Sequence, residues 1–188
     1  MPGQLFIDTP RLELKTAEEE DKAFLRTGLN HPDIRRYIDT FRTPTTADEY
    51  DDLYEQYDGN PDNVTLLVVP KTGDQQGEAV GSVQLAPIND ARGWANLGAW
   101  LHPKAWGEGY AAEACAHLID YGFADLRLHR ISASIDSANE ASIALCERLG
   151  FTHEGVSRDD VFADGAYRNR ERYGLLEGEW DGPAAVRE

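Results

Sequence analysis

The sequence predicts an α+β fold built on a mostly antiparallel sheet. Three strand-like stretches, residues 64–69, 77–88 and 93–102, follow one another with only short polar or Gly-rich turns between them. Connections this short favour antiparallel neighbours, because a parallel pair needs a long crossover. Near the end of the chain, Asp164-Gly165 lies between alternating residues and is typical of a two-residue hairpin.

The first helices are expected between residues 16 and 57. Residues 11–15, RLELK, alternate like a strand, and residues 16–29 then open with Thr and an acidic first turn, as helices do. We therefore expect a strand followed by a helix at the start of the fold. Two further short helices are expected at residues 31–38 and 45–57.

The second half of the chain alternates between helix and strand. From Ala111 to about Leu126 a helix with one buried stripe is predicted, because apolar residues recur at helical spacing, at positions 115, 118, 119, 122 and 123. The strand RISASI, residues 130–135, follows this helix. A last helix is expected at residues 139–151, where Gly150 fits a left-handed cap.

Length and composition indicate an ordinary globular protein. The 188 residues, 41% of them hydrophobic, suit a single domain over residues 1–188. No apolar run reaches the length of a membrane span and the N-terminus lacks a signal-peptide pattern, so we expect a cytoplasmic protein. Cys115 and Cys146 fall in helix-like segments without metal-ligand spacing, so we expect reduced thiols and no metal.

The charge of the chain is strongly negative. Thirty-four acidic residues outnumber 18 basic ones, which gives a formal net charge of -16 and makes nucleic acid an unfavourable partner. The charge could attract basic substrates, or it could adapt the surface to molar salt, where self-repulsion is screened within about 3 Å. The acids are scattered over the whole chain and lysine is scarce, so we favour the salt-adapted, halophilic surface.

The segment PKAWGEGYAAEA, residues 103–114, places two glycines where a helix begins. Gly is costly inside a helix, which raises the question of whether something approaches this backbone so closely that a side chain would block it. A plain helix entry is one interpretation. A dinucleotide fingerprint is another, since Gly107-x-Gly109-x-x-Ala112 satisfies it and Asp136 stands near the place of a ribose-binding acid.

A pyrophosphate cradle is the third interpretation of this segment. Antiparallel-looking strands precede the glycines, whereas the dinucleotide fingerprint opens a series of parallel strands. In a cradle, successive backbone N–H groups from Trp106 to Ala111 would converge on a pyrophosphate at the helix N-terminus, where the partial charge is positive. We favour this interpretation because of the segments that surround the loop.

Those segments carry a family resemblance. The order of GWANLGAWLHP, KAWGEGYAAEA and NEASIALCERLGF resembles the GNAT superfamily of acyl-CoA-dependent N-acyltransferases, which have an Arg/Gln-x-x-Gly-x-Gly/Ala loop between a strand and a helix. TPRLEL near the start, LGF and EG at 149–155, and the final DG hairpin ending in LLEGEW are similar to the RimJ/RimL-like branch. The resemblance covers about residues 8–180. The chain departs from the pattern at three positions. Lys104 stands where Arg or Gln is usual, Ala99 where the branch often has an aromatic residue, and Asn96 where many relatives carry an acid.

The resemblance implies a GNAT fold with acetyl-CoA as cosubstrate and no metal. This fold has a central twisted sheet with helices on both faces, and a splayed pair of strands leaves backbone groups free to pair with the pantetheine arm. The residues implied in binding acetyl-CoA are Trp100, Leu101, His102, Lys104, Trp106, Gly107, Glu108, Gly109, Tyr110, Ala111, Asn139, Ser142 and Cys146.

The same resemblance suggests residues for catalysis and for the acceptor. Ser142 is the candidate for hydrogen-bonding the leaving sulfur, and His102 is a candidate base. Cys146 stands where many relatives have a Tyr acid, and a small buried residue is the favoured interpretation there. The acceptor residues implied are Tyr37, Phe41 and Asn96.

The expected activity is transfer of an acetyl group to a primary amine in a ternary complex. The leading acceptor is a protein N-terminus, such as that of a ribosomal protein, and a homodimer is among the expected assemblies. The alternatives are a small-molecule amine such as a polyamine, aminoglycoside or amino acid, and a CoA-binding module without catalysis. A nucleotide-binding domain with the weaker fingerprint is the last alternative.

Overall fold

The computed structural model describes residues 3–38 and 43–186. The strands are β1 (Leu5–Asp8), β2 (Leu12–Thr16), β3 (Val64–Pro70), β4 (Gly81–Asn89), β5 (Trp94–Leu101), β6 (Arg130–Asp136), β7 (Thr152–Ala163) and β8 (Ala166–Leu176). The α-helices are α1 (Lys22–Asn30), α2 (Pro32–Arg35), α3 (Ala47–Gln56), α4 (Tyr110–Ala124) and α5 (Glu140–Arg148). All eight strands lie in one sheet, in the order β1-β2-β3-β4-β5-β6-β8-β7.

Helices cover both faces of this sheet, as predicted. On one face, α1 and α3 enclose a small core in which Leu25 and Tyr50 pack with Leu67 and Val69 of β3. On the other face, α4 and α5 pack on the larger core. The predicted stripe of α4 is buried there, with Cys115, Leu118, Ile119, Gly122 and Phe123 all among its buried positions. The sheet therefore has one face covered by α1 and α3 and another covered by α4 and α5, and the site is described below with respect to these two faces.

The pairing between β5 and β6 determines where the sheet opens. All other neighbouring strands pair in antiparallel fashion, but β5 and β6 run parallel and pair only from Trp94–Arg130 to Asn96–Ser132. Beyond this short ladder β5 stays with β4, and β6 stays with β8. The two strands therefore diverge after the Asn96–Ser132 pair, and we call the opening between them the splay. The backbone of β5 after Asn96 has one unpaired side, which faces this opening.

The N-terminal region differs from the expectation in two respects. The strand β1 precedes β2 and pairs with it, whereas the sequence indicated a strand at residues 11–15 as the first element. Three of the four residues of β1 are exposed, so it lacks the inward-facing pattern that marks a strand. The first helix begins at Lys22 after a single 3-10 turn, because Thr16 is the last residue of β2.

Within residues 3–38 and 43–186, no helix combines the length and the apolar character needed to cross a bilayer.

Candidate active site

The two glycines of the loop before α4 have backbone conformations that favour glycine. Gly107 has φ of 82° and Gly109 has φ of 77°, both in the left-handed region that L side chains rarely adopt. A Cβ on Gly107 would meet nothing within 4 Å, so this residue borders open space. A Cβ on Gly109 would lie 3.2 Å from Nη2 of Arg11. Both positions thus present bare backbone at the start of a helix.

The same loop presents unpaired backbone donors. The first bond into α4 runs from the Glu113 N–H to the Gly109 carbonyl, at 3.2 Å. No acceptor within residues 3–38 and 43–186 pairs with the backbone N–H groups of residues 107–112. Orphan donors at a helix N-terminus, where the dipole is positive, suit a phosphate group. The loop therefore fits the pyrophosphate of a CoA molecule.

One end of the expected cradle needs correction. The Trp106 N–H donates to the Pro103 carbonyl at 3.2 Å and closes a short turn, so this donor is already paired. The indole Nε1 of Trp106 donates to the Leu101 carbonyl at 2.8 Å, and the ring is half exposed. Trp106 thus joins the loop to the end of β5, and the available donors begin at Gly107.

A partly buried carboxylate, that of Glu113, connects the loop to the residues just before β2, a contact that the sequence did not indicate. Glu113 accepts a bond from the Thr9 hydroxyl at 2.6 Å, from the Arg11 N–H at 2.7 Å and from Arg11 Nε at 2.6 Å. Arg11 Nη1 also donates to the Glu108 carbonyl at 2.9 Å, and its guanidinium lies 5.5 Å from the centre of the Tyr110 ring. We refer to Thr9, Arg11 and Glu113 as the clasp.

The electrostatics of the clasp favour an ionised Glu113. Burial would raise the pKa of Glu113, but the hydrogen bonds from Thr9 and Arg11 outweigh burial and lower the pKa below its ordinary value of 4.5. The carboxylate therefore stays charged at neutral pH and holds the Arg11 side chain against the loop. Arg11 in turn brings a positive charge beside the backbone donors.

The splayed part of β5 offers a second set of backbone groups. The His102 N–H donates to the Val80 carbonyl at 2.7 Å, on the side of β4. Since backbone groups alternate along a strand, those of Leu101, Ala99 and Leu97 point to the unpaired side. An amide-rich pantetheine arm can pair there as an added strand does, except at the Leu101 carbonyl, which already accepts the Trp106 indole N–H. The N–H of His102 cannot polarise a thioester carbonyl, whereas that of Leu101 lies on the open side.

The side chain of His102 is already engaged with the loop. Its Nδ1 accepts the Lys104 N–H at 3.3 Å, and its ring lies 5.2 Å from the ring of His31. Burial, and then the charges of His31 and Lys104, lower the pKa of His102 below its ordinary value of 6.5. The ring is therefore neutral at pH 7 with its proton on Nε2, and it must give up the Nδ1 bond to act as a base.

The helix α5 follows β6 and contacts it, so its residues lie across the splay from β5. Asn139 Oδ1 accepts the Ser142 N–H at 3.2 Å, so Asn139 caps the helix. Ser142 is half buried at this end, and its role as a hydrogen-bond donor to the leaving sulfur stays a prediction. Cys146 is buried, and burial followed by the charge of Glu147 raises the pKa of its thiol to about 12. A thiol this weak is a poor proton donor to a thiolate.

Two of the three implied acceptor residues lie in the described part of the chain. The Asn96 side chain makes only a 3.4 Å contact with the Leu97 carbonyl, and it lies at the last β5–β6 pair, where the splay begins. Tyr37 follows α2, and its ring lies 5.1 Å from the Arg36 guanidinium. Phe41 lies outside the described residues. Of these three, Asn96 is the one that the structure places at the splay.

The sheet face toward which the even-numbered side chains of β5 point carries polar side chains around the splay, and we call this part of the sheet the open face. Trp100 of β5 packs on Phe24 of α1 at 5.3 Å between ring centres, so the even-numbered side chains of β5 point toward α1. Strand register then places seven residues on this same side, namely Asn96, Ser132, Ser134, Asp136, Arg168, Arg170 and Arg172. The glycine loop and α4 lie on the opposite face of the sheet. The splay is therefore the opening through which the two faces of the sheet communicate.

Comparisons with known proteins agree with this geometry. Residues 11–152 match the family model of the acetyltransferase (GNAT) domain. The chain is 31% identical over 180 residues to "Uncharacterized N-acetyltransferase p20" of Bacillus licheniformis, covering 93% of this chain and 97% of the relative. It is 30% identical over 177 residues to "Putative ribosomal N-acetyltransferase YdaF" of Bacillus subtilis, covering 91% of each chain.

Polyamine-modifying enzymes are similar as well. The spermidine N(1)-acetyltransferase of Escherichia coli is 30% identical over 162 residues, covering 86% of this chain and 83% of that protein. The crystal structure of spermidine N-acetyltransferase from Vibrio cholerae in complex with CoA and spermine has a TM-score of 0.80 and 26% identity, covering 91% of this chain and 98% of that one. The chain therefore belongs to the GNAT acetyltransferase family and is an acetyl-CoA-dependent N-acetyltransferase.

Proposed function

We propose that this enzyme acetylates the α-amine of a protein N-terminus and belongs to the RimJ/RimL-like branch. The observation that supports this acceptor is the composition of the open face, where guanidinium groups and hydroxyls lie beside the splay. Arg168, Arg170 and Arg172 project from alternate positions of β8, and Ser132 and Ser134 project from β6. A polyamine carries several ammonium groups, which the exposed and weakly paired guanidinium of Arg172 would repel, whereas a peptide N-terminus carries one.

The shape of the open face also suits an extended peptide. Among the described elements, α1 and α3 pack over β3 and β4, and on this side of the sheet Arg172 of β8 is 47% exposed. The peptide could lie along this surface while its first amine enters the splay. The similarity to a protein of Bacillus subtilis with a ribosomal N-acetyltransferase name is consistent with this acceptor.

Each part of the site has a role in the proposed reaction. Acetyl-CoA supplies the acetyl group as a thioester at the splay. The glycine loop and the clasp hold its pyrophosphate, and the Leu101 N–H is the donor best placed for the thioester carbonyl. Ser142 is proposed to donate a hydrogen bond to the leaving sulfur. Asn96 can orient a water but cannot accept a proton, so the amine loses its proton to solvent, binds neutral, or uses another base such as His102 after its Nδ1 bond to the Lys104 N–H is released.

A polyamine acceptor is the second candidate. The net charge of -16 would attract a polycation, and enzymes named for spermidine are similar over most of the chain. The two candidates differ in how many positive charges they bring to the open face, where Arg172 is the arginine with the weakest contact to a carboxylate. A cytoplasmic location, where new proteins and acetyl-CoA meet, and a homodimer are further parts of the proposal.

An acceptor panel tests this function. Purified full-length enzyme would be given acetyl-CoA with peptides of different N-terminal residues, with an N-terminally blocked peptide that contains lysine, and with spermidine and spermine. Thiol release measures turnover, and mass spectrometry locates the acetyl group. We expect peptides with a free α-amine to have the highest kcat/KM. Spermidine turnover more than tenfold above that of the best peptide would refute the proposal, and the panel should be run in dilute and in molar salt.

A further inference from the structure

The three arginines of the open face are not equally neutralised. Asp160 Oδ2 accepts Arg170 Nε at 2.6 Å and Arg172 Nη2 at 3.3 Å, so two guanidinium groups share one carboxylate and the shorter bond goes to Arg170. Asp136 and Asp164 both contact Arg168, at 3.3 Å and 2.7 Å. Arg172 therefore has the weakest contact with a carboxylate among these arginines.

The other contacts of Arg172 position its charge without cancelling it. Its Nη1 donates to the hydroxyl of Ser134, and its Nε donates to the Ser157 hydroxyl at 3.1 Å. Hydroxyl oxygens are neutral acceptors, so they orient the guanidinium and leave its positive charge available. Burial, and then the charge of Arg172, lower the pKa of Arg170, so the two guanidinium groups lie close enough to repel each other.

Arg172 is also accessible and close to the splay. Its side chain is 47% exposed, compared with 14% for Arg170 and 21% for Arg168. It contacts Ser134, which lies two residues beyond Ser132, the last β6 residue paired with β5. Two residues of strand span roughly 6.6 Å, and each residue of an extended peptide covers about 3.3 Å. A group bound by Arg172 would then belong to the second or third residue of a peptide whose amine enters the splay.

We propose that Arg172 selects acceptors that carry a carboxylate, namely peptides with Asp or Glu at the second or third position. This inference rests on the proposed N-terminal acceptor and adds a substrate class to it. A peptide carboxylate could displace the 3.3 Å contact of Nη2 with Asp160 and accept hydrogen bonds from the exposed guanidinium, which has more N–H donors than a lysine ammonium. The strongly acidic surface elsewhere would disfavour such peptides, so this local cation is needed to hold them.

The test compares matched peptides and variants of the full-length enzyme. The peptides share one N-terminal residue and carry Ala, Glu or Lys at positions two and three, and steady-state KM and kcat are measured for each. We expect the wild-type enzyme to have the lowest KM for the Glu peptides. Arg172→Ala should raise that KM about tenfold while changing kcat less than twofold, and it should raise the KM for the Ala peptides by a clearly smaller factor. Arg172→Glu should reverse the preference toward the Lys peptides.

Controls separate selection from folding. Arg172→Lys retains the charge and should lose only part of the preference, and Arg92→Ala removes an exposed arginine from the β4–β5 turn, at the other end of β5. Circular dichroism and melting temperature check each fold. An equal loss for Glu and Ala peptides, or a wild-type enzyme without preference for Glu, would overturn this inference alone. If no peptide is acetylated and a polyamine is, the proposed function itself fails.

Discussion

Replacing Glu113 with Gln removes the charge at the centre of the clasp while keeping the size of the side chain. The carboxylate is 11% exposed and accepts the three bonds from Thr9 and Arg11 at 2.6–2.7 Å. In the variant, two of these bonds become neutral, at a cost of about 1 kcal/mol each. The Gln NH₂ group meets Arg11 Nε as donor against donor, and we assign about 1 kcal/mol to that loss because Arg11 is 42% exposed and screened by solvent.

The sum of about 3 kcal/mol corresponds to a fall in melting temperature of roughly 6–12 °C for a chain of this length. A second effect concerns the cosubstrate. Arg11 also holds the Glu108 carbonyl, so the glycine loop loses a support and must be ordered when CoA binds. We expect the Kd of CoA to rise about tenfold. Calorimetry measures the affinity, and thermal melting followed by circular dichroism measures the stability.

The pH dependence supplies an independent check on the same variant. The folded-state pKa of Glu113 is lowered, so its contribution to stability is fully present above the ordinary value of 4.5 and is lost as pH falls through the folded pKa. The stability difference between wild-type and Glu113→Gln should therefore shrink below about pH 4.5. The matched control is Glu55→Gln, an exposed acid on α3. A melting temperature within 1 °C of this control would refute the reasoning, as would an unchanged CoA affinity.

Three further predictions test other parts of the molecule. Gly109→Val should abolish CoA binding, because a φ of 77° is strained for a branched residue and its side chain would occupy the space expected for the phosphate, and unchanged affinity by calorimetry would contradict the cradle. Ser142→Ala should lower kcat ten- to a hundredfold under chemistry-limited conditions, the scale of one charge-assisted hydrogen bond. Cys146→Ala should stay within a few-fold, and the opposite ranking would identify the wrong donor. If the acidic surface is halophilic, the melting temperature should keep rising into molar salt, and equal or lower stability there would assign the charge to substrate attraction.

The elements that the sequence predicted well are those encoded by local pattern. The apolar stripe of α4 is buried as expected, and Gly150 has a φ of 85° at the end of α5. Asp164 and Gly165 both have positive φ, at 51° and 80°, as a two-residue hairpin turn requires. In each case the residue type and its spacing report a nearby backbone conformation, so no distant contact was needed to interpret them.

The features that sequence reasoning missed depend on partners far apart in the chain. Arg11 and Glu113 are separated by 102 positions, and neither segment contains a sequence pattern that indicates the other as its partner. An acid in the first turn of a helix is usually explained by the helix dipole. The sequence therefore offered no reason to expect that Glu113 accepts hydrogen bonds from Thr9 and Arg11. The pairing of the His102 N–H with Val80 was missed for a similar reason, since strand register decides which backbone groups face the splay.

The three-residue ladder between β5 and β6 divides the sheet into two antiparallel blocks, β1 to β5 and β6 to β8. Elsewhere in the sheet, neighbouring strands share between three and eight register pairs, all antiparallel. A pantetheine arm lying along β5 would fill the unpaired edge and touch both blocks at once. The cosubstrate would then complete the sheet as well as react, so the seam between the blocks should be most cohesive at the moment when the acetyl group is in place.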